Sequence, residues 1–353
     1  MDKVLTFLNT VFVQGFWKTF CVKWVWQTFC VKWIYQAVCK DFIGKKLNFT
    51  SWKGWIYLLP ALILLAIFTV WPIFNTVRIA FLEGYNHSEA SGGATFEFGI
   101  ANFQKVLGYR QFTTCLTNTM LLCVLTVPIS TILALLIAVA LNSIKPLQKF
   151  YQTVFFLPYV TNSIAIGMVF ATMFTQIEVA KGEYSVGIIN NVLGLFGINP
   201  IDWIGAKSEY WANITVMVIY IVWNALPFKI LILLGGLQSV NKQYYEAAKI
   251  DSTPRWRVFT RITVPLLSPM IAYVVITGFI GGFKEYSSIV GIFGDSMGPV
   301  GDAGRMNTIV GLIYNSITNQ KYGDASAAAI ILFLIIFAVT LVNLYVSKKK
   351  THY

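Results

Sequence analysis

Three charged residues interrupt long apolar runs of this chain: Lys229, Lys284 and Glu285. An ionised group inside an apolar segment is costly, so each is a candidate for function. Trp223, Asn224, Pro227 and Phe228 precede Lys229; Phe283, Tyr286, Ser287 and Ser288 flank Lys284 and Glu285. Both clusters mix hydrogen-bonding groups with flat aromatic faces, which suits a polar solute with an apolar ring face. A wrong solute would leave those polar groups unpaired, and that is how such a site discriminates. The structural alternative is that Lys284 pairs with Glu285 or with a partner subunit, while Lys229 snorkels or bonds a carbonyl. Covalent and metal chemistry find little support. The only histidines are His87 and His352, one in a loop and one in the tail, and neither H-E-x-x-H nor G-x-S-x-G occurs. Cys21, Cys30, Cys39, Cys115 and Cys123 form no CxxC pair, so neither zinc nor a disulfide frame is suggested.

The elements that carry these residues belong in a bilayer. The chain is 56% hydrophobic and 12% charged, too apolar for a water-soluble domain. Clear apolar runs lie near 55–81, 114–141, 153–175, 211–237, 269–293 and 325–346. Each is long enough to cross about 30 Å as a helix. Lipid offers the backbone no partner, so all six read as helices: an all-α integral membrane protein. Pro60, Pro72, Pro128, Pro158, Pro227 and Pro269 predict kinks in several of them.

Basic residues set the orientation. With the N-terminus inside, the segments 1–54, 142–152, 238–268 and 347–353 hold 18 of the 27 Lys and Arg, against seven outside. Both termini are therefore expected in the cytoplasm, and the net charge of +12 is mostly a topology signal. Nucleic-acid binding would need a basic soluble domain, and none is present.

Four regions follow: 1–54, a cytoplasmic or interfacial Trp/Lys-rich extension; 55–112, the first span and an external loop; 113–346, the transmembrane core; and 347–353, a basic cytoplasmic tail. The extension repeats Thr19-Phe20-Cys21-Val22-Lys23-Trp24 as Thr28-Phe29-Cys30-Val31-Lys32-Trp33. It reads as an interfacial helix in contact with the lipids of the inner leaflet. Lys18, Lys23 and Lys32 make a seventh span costly. The external stretches 82–112 and 176–210 are dense in turn residues, including Gly92-Gly93, and should form small elements capping the spans.

Between the fourth and fifth runs lies a polar, charged segment, Glu246-Ala247-Ala248-Lys249-Ile250-Asp251-Ser252-Thr253-Pro254-Arg255-Trp256-Arg257. Glu246 to Lys249 are good helix formers. Thr253 is a suitable N-cap and Pro254 suits the first helical position, so a second helix should start near 254 and end at Pro265. Two short helices with a break make an L-shaped knob. Ala247 and Ala248 leave room for another surface, and Glu246 with Arg255, Arg257 and Arg261 supplies charge-pairing handles.

This pattern resembles the cytoplasmic loop of the permease subunits of ABC importers. That signature is Glu-Ala-Ala, three residues, a small residue, nine residues, then Ile-x-Leu-Pro. Here it reads Glu246-Ala247-Ala248, Ser252 and Ile262-Thr263-Val264-Pro265. Ser252 stands where the family has glycine, so the break is expected to use a non-glycine conformation; Val264 stands where it has leucine. Asp251, Phe259, Pro269, Phe155-Phe156-Leu157-Pro158, Leu234-Gly235-Gly236-Leu237-Gln238-Ser239 and Asp202-Trp203 are similar to the binding-protein-dependent carbohydrate branch, of maltose or multiple-sugar type. The resemblance covers residues 55 to 350.

The resemblance implies a permease in the bacterial plasma membrane that forms the path for a sugar or oligosaccharide and is not itself an enzyme. It implies docking to an ATPase through residues 243–264, with Glu246, Ala247, Ala248, Asp251, Ser252, Arg255, Arg257, Phe259 and Pro265 at the contact. ATP and Mg would sit on two ATP-binding subunits and no cofactor on this chain. A second permease and an extracytoplasmic solute-binding protein complete the implied set of partners. No G-x-x-x-x-G-K-[ST] occurs; Gly278 to Lys284 is the nearest approach and has the wrong spacing. The resemblance points to Asn224, Phe228, Phe283, Lys284 and Ser287 for the sugar, and the polar-aromatic clusters add Trp223, Glu285 and Tyr286. Two alternatives remain: a secondary transporter driven by an ion gradient, for which no repeated half is visible, and a permease for glycerol phosphate or another polar solute.

Overall fold

The structure, a computed structural model, describes residues 53–85, 96–144, 148–180 and 183–350. The Trp/Lys repeat, the interfacial helix expected around it, Cys21, Cys30, Cys39, Gly92-Gly93, His87 and His352 lie outside those residues. The chain divides into two compact units, residues 1–74 and 75–353.

The first apolar run is helical as α1 (Lys53–Leu65), a π-helical stretch (Ala66–Val70) and α2 (Trp71–Ala80). The stretch comes just before Pro72. Proline has no N–H to donate, and the ladder slips there so that the Trp71 N–H bonds the Ala66 carbonyl, five residues back.

The second unit is built around α4 (Arg110–Ser143) and α8 (Tyr210–Ser239), which pack along their lengths. α3 (Ala101–Gly108) precedes α4. The third apolar run is two helices, α5 (Gln148–Val160) and α6 (Ser163–Phe174), bent by 97°. The break at Thr161 and Asn162 is sealed locally. The Thr161 hydroxyl donates to the Pro158 carbonyl at 2.8 Å, and the Asn162 side chain accepts from the N–H groups of Ile164 and Ala165.

A short antiparallel hairpin, β1 (Gln176–Ala180) and β2 (Glu183–Val186), then leads to α7 (Ile188–Leu195). Asn190 ties the following loop down. Its side chain donates to the Ile201 carbonyl and accepts from the Trp203 indole, both at 2.9 Å. The Asp202-Trp203 motif is therefore a capping knot at the start of α8, with Asp202 accepting from the N–H groups of Gly205 and Lys207.

The fifth run is also interrupted: α11 (Ser268–Gly282) stops, and α12 (Ser287–Phe293) resumes after four residues. α13 (Ile309–Thr318) and α14 (Tyr322–Lys350) complete the unit. Among the described residues, four helices are long and apolar enough to span a membrane, and the bent pairs Phe150–Val160 with Ser163–Phe174 and Arg255–Leu266 with Ser268–Gly282 bring the number to six if each is one span. The chain is a multi-pass membrane protein, and the expected all-α class holds with one small hairpin added.

Glycines make the seams. Gly167 and Gly291 meet backbone to backbone, since a Cβ on Gly167 would lie 2.7 Å from the Gly291 Cα. This contact lets α6 and α12 cross closely. A Cβ on Gly236 would lie 2.8 Å from Met270 Cγ, which brings α8 against α11.

At the end of the bundle opposite the segment that joins α8 to α11, Lys105 pairs with Asp324 at 2.7 Å, linking α3 to α14. The hydrogen bond to Asp324 holds the Lys105 ammonium above its ordinary pKa, against a smaller desolvation effect. A raised folded-state pKa means the stabilisation is complete below the ordinary lysine value and is lost as pH climbs through the raised one. Lys105→Met is therefore expected to remove part of the alkaline decline in thermal stability, measured by melting in detergent between neutral pH and pH values above the lysine range. Identical alkaline limbs in the two proteins would count against it.

Candidate functional site

Two features stand out in the second unit: a cavity in the bundle and the elbow between α8 and α11. The cavity encloses about 320 Å³. Its walls come from α4, α5, α8, α11 and the break after α11, and they include Ser130, Tyr159, Asn224, Phe228, Lys229 and Glu285.

Lys229 is 5% exposed and donates to three oxygens of α4: the Val127 carbonyl at 3.2 Å, Ser130 Oγ at 2.6 Å and Thr131 Oγ1 at 3.0 Å. All three ammonium protons are used. The cation is solvated by neutral oxygens and cross-links α8 to α4, the carbonyl-bonded alternative of the sequence. Gly278 makes room for it, since a Cβ there would lie 3.3 Å from Lys229 Nζ and 3.1 Å from Val127 Cγ1. The Glu285 carboxylate accepts from the Ser288 N–H at 3.2 Å, in the first turn of α12. Phe228 stacks on Tyr159 with ring centroids 6.0 Å apart and planes 20° apart. Asn224 donates to Ser163 Oγ at 3.1 Å.

Of the residues the sequence proposed for solute, Asn224, Phe228 and Glu285 line the cavity. Trp223 packs beside it on Phe170, at 5.1 Å. Phe283 requires a correction: it is 2% exposed, in the core cluster with Cys123 and Val127, and does not line the cavity. Tyr286 stacks on Tyr314 at 4.4 Å, while Lys284 and Ser287 are exposed to one side of it. Among the described residues Lys284 makes no ion pair with Glu285, so that pairing is also corrected. Tyr159, Ser130 and Ser163 were missed by sequence reasoning. Tyr159 follows the Phe155-Pro158 motif directly, which was the one available signal.

The elbow consists of α9 (Gln243–Ile250) and α10 (Arg255–Val258). α9 ends in a Schellman motif. The Thr253 N–H bonds the Ala248 carbonyl at 2.9 Å, and the Ser252 N–H bonds the Lys249 carbonyl at 3.1 Å. Ser252 takes φ 50°, the left-handed conformation that glycine favours. The expectation of a non-glycine conformation is thereby overturned: the backbone geometry is kept and a serine is held in it. Two further expectations are corrected. Pro254, not Thr253, is the N-cap residue, and no side chain caps α10. Nor does Pro265 end the helix: a π-helical stretch (Phe259–Thr263) absorbs the missing donor, as before Pro72, and helix continues to Leu266.

Glu246, Ala247, Asp251, Ser252, Arg255 and Arg257 are exposed on the elbow, as are Ile250 at 84% and Trp256 at 72%. Ala248 is buried, so of the two alanines only Ala247 is open to another surface. Phe259 and Pro265 are half-buried. Tyr245 OH lies 3.3 Å from Thr263 Oγ1, joining the two arms.

Comparison with known proteins bears on both features. The family model described as the binding-protein-dependent transport system inner membrane component matches residues 120–352, which include the elbow and every residue lining the cavity. The lactose transport system permease protein LacF of Rhizobium radiobacter is 29% identical over 294 residues, covering 82% of this chain and 91% of the relative. The arabinooligosaccharides transport system permease protein AraP of Halalkalibacterium halodurans is 32% identical over 251 residues, covering 70% and 75%. The fold is similar, with a TM-score of 0.68 at 21% identity over 86% of this chain and 96% of the other, to a chain in the crystal structure of a bacterial alginate ABC transporter in complex with an alginate pentasaccharide-bound periplasmic protein.

Two outcomes follow from this geometry. A left-handed conformation costs a residue with a Cβ about 1–2 kcal/mol, so Ser252→Gly should raise the thermal midpoint; an unchanged or lower midpoint would show the serine to be unstrained. Gly278→Val should destabilise by about 1–3 kcal/mol through overpacking. The readout is the yield of folded protein and its melting in detergent, and native values would mean that α11 and α4 separate freely there.

Proposed function

This chain belongs to the family of binding-protein-dependent transport system inner membrane components, and on that premise we propose that it is the permease subunit of an ATP-driven importer of a sugar or oligosaccharide. The observation that carries the reading is the family match, which spans both a cavity with polar and aromatic walls and an exposed elbow at the end of α8. The names of the relatives, lactose and arabinooligosaccharide permeases, give the solute class.

The cavity chemistry agrees with that class. Stacked Tyr159 and Phe228 offer a flat face to a sugar ring, and Asn224 with Glu285 offers a donor and an acceptor to its hydroxyls. Every proton of the Lys229 ammonium is already engaged. An anionic solute such as glycerol phosphate would find no free cationic donor among the cavity-lining residues. That lack favours the uncharged sugar.

In this reading the elbow docks on an ATP-binding subunit in the cytoplasm. Ile250 and Trp256 supply an apolar surface, and Glu246, Arg255 and Arg257 supply charge around it. The distribution of Lys and Arg supports a cytoplasmic elbow and cytoplasmic termini, in a bacterial plasma membrane. ATP and Mg belong to two such subunits. A second permease completes the path, and an extracytoplasmic solute-binding protein delivers the sugar. ATP-driven closure of the ATPase pair moves the elbow, and the spans alternate between facing in and facing out around the cavity.

The test uses the complete complex in vesicles, with lactose and arabinooligosaccharides as probes. Native complex should take up one of them only with ATP. Glu246→Arg and Ala247→Trp should leave the chain folded and inserted but lower uptake per ATP hydrolysed by about tenfold, a coupling loss of about 1.4 kcal/mol. Uptake that ignores ATP but collapses with the proton gradient would make the protein a secondary transporter. Native coupling in both variants would remove the elbow from the mechanism.

A further inference from the structure

The two interrupted spans are joined to each other. α6 and α12 are the halves remote from the elbow, and they meet at the Gly167–Gly291 contact. Backbone meets backbone there with no side chain between, so the position of one half constrains the position of the other. Each begins at a break, and each break is tied to the cavity.

At the first break, Ser163 opens α6. Its carbonyl accepts from the Tyr220 hydroxyl, its Oγ lies 3.1 Å from that same hydroxyl, and its Oγ accepts from Asn224 at 3.1 Å. Asn224 lines the cavity, whereas Ser163 does not. At the second break, the cavity-lining Glu285 accepts from the Ser288 N–H in the first turn of α12, and its carbonyl accepts from Thr308 Oγ1 at 2.8 Å. A hydroxylated solute that takes the Asn224 amide hydrogen and the Glu285 oxygen used in these bonds competes with a contact that holds the start of α6 and with one that holds the start of α12.

We propose that Ser163 is the positioning residue through which the contents of the cavity reach the α6–α12 pair. It orients the Asn224 amide while no solute is bound, and it is released, with α6, when a solute hydroxyl takes that amide. The identity of the solute rests on the sugar-permease reading above; the latch itself rests on the geometry. A ligand shifts a conformational equilibrium only by the contacts it makes differently in the two states, and the Asn224–Ser163 bond is such a contact.

The experiment places a reporter at the hairpin end of α6, Thr172→Cys, an exposed position, in a chain whose native cysteines are replaced. Its reaction with a membrane-impermeant maleimide is followed in the complete reconstituted complex, with lactose and arabinooligosaccharides as probes. With Ser163 intact, the transported probe should change the labelling rate severalfold. Ser163→Ala should give a rate already shifted without solute and no longer responsive to it, together with higher solute-independent ATP hydrolysis. Ser163→Thr, which keeps the hydroxyl, should restore both. If Ser163→Ala does not assemble, Asn224→Leu removes the other partner of the same bond, and its solute-free labelling rate is read in the same way. A solute response and basal hydrolysis in these variants equal to those with Ser163 intact overturn the proposal. If no probe is taken up with ATP by native protein, the sugar-permease reading fails instead. The solute-free labelling rates with and without the Ser163→Ala substitution then decide the latch, equal rates being the result against it.

Discussion

A helix interrupted within a bilayer exposes backbone donors and acceptors that lipid cannot satisfy, and the rest of this structure depends on how those groups are closed off. The first interruption is closed by Asn162 and Thr161, the second by Glu285 and Thr308. The two prolines at positions 72 and 265 are accommodated by a related device, a shift of the ladder to a five-residue spacing just upstream. Side chains that could otherwise only bind solute are thus drawn into sealing the fold. In the cavity, Glu285 stands in such a break, while Thr126 and Ser130 on α4 and Asn224 and Lys229 on α8 supply polar wall from intact helices.

Lys229 shows the same economy in a different form. A charged ammonium in the interior of the bundle demands partners, and α4 supplies three oxygens within a single turn, from Val127 to Thr131. Gly278 keeps the approach open. The lysine is fixed, its protons are occupied, and the cavity beside it keeps a polar wall without a mobile cation.

Much of this was legible in the sequence. The six apolar runs are helical, four of them as long unbent or gently kinked spans, and Glu246 to Pro265 corresponds to the elbow. What stayed hidden has physical causes. An apolar run carries no mark of where a helix will break, because Thr161-Asn162 and Lys284-Glu285 are short polar insertions that an intact span also tolerates when neighbours repair them. Phe283 and Glu285 are two residues apart and face a core and a cavity respectively, a difference set by the break between α11 and α12. The residue type at position 252 argues against the conformation that Ser252 in fact adopts. The Schellman bonds to Ala248 and Lys249 accompany that conformation, and the residue type alone does not register the backbone bonds that close the end of α9.

The elbow and the cavity are linked through rigid parts. Tyr245 and Thr263 tie the two arms of the elbow, and Leu267, 1% exposed, seats its base where α8 passes at Gly236. From that seat α11 runs along α4 with glycines at positions 278 and 282 facing it: a Cβ on Gly282 would lie 2.9 Å from Cys123 Sγ. A seam of this kind has few interdigitated side chains to repack, so displacement at the base is delivered to the other end of α11 rather than dissipated along it. That end is the break carrying Glu285. In the proposed importer, force applied at the elbow and solute held in the cavity would thus act on the same four-residue interruption from opposite sides, an arrangement suited to coupling the two.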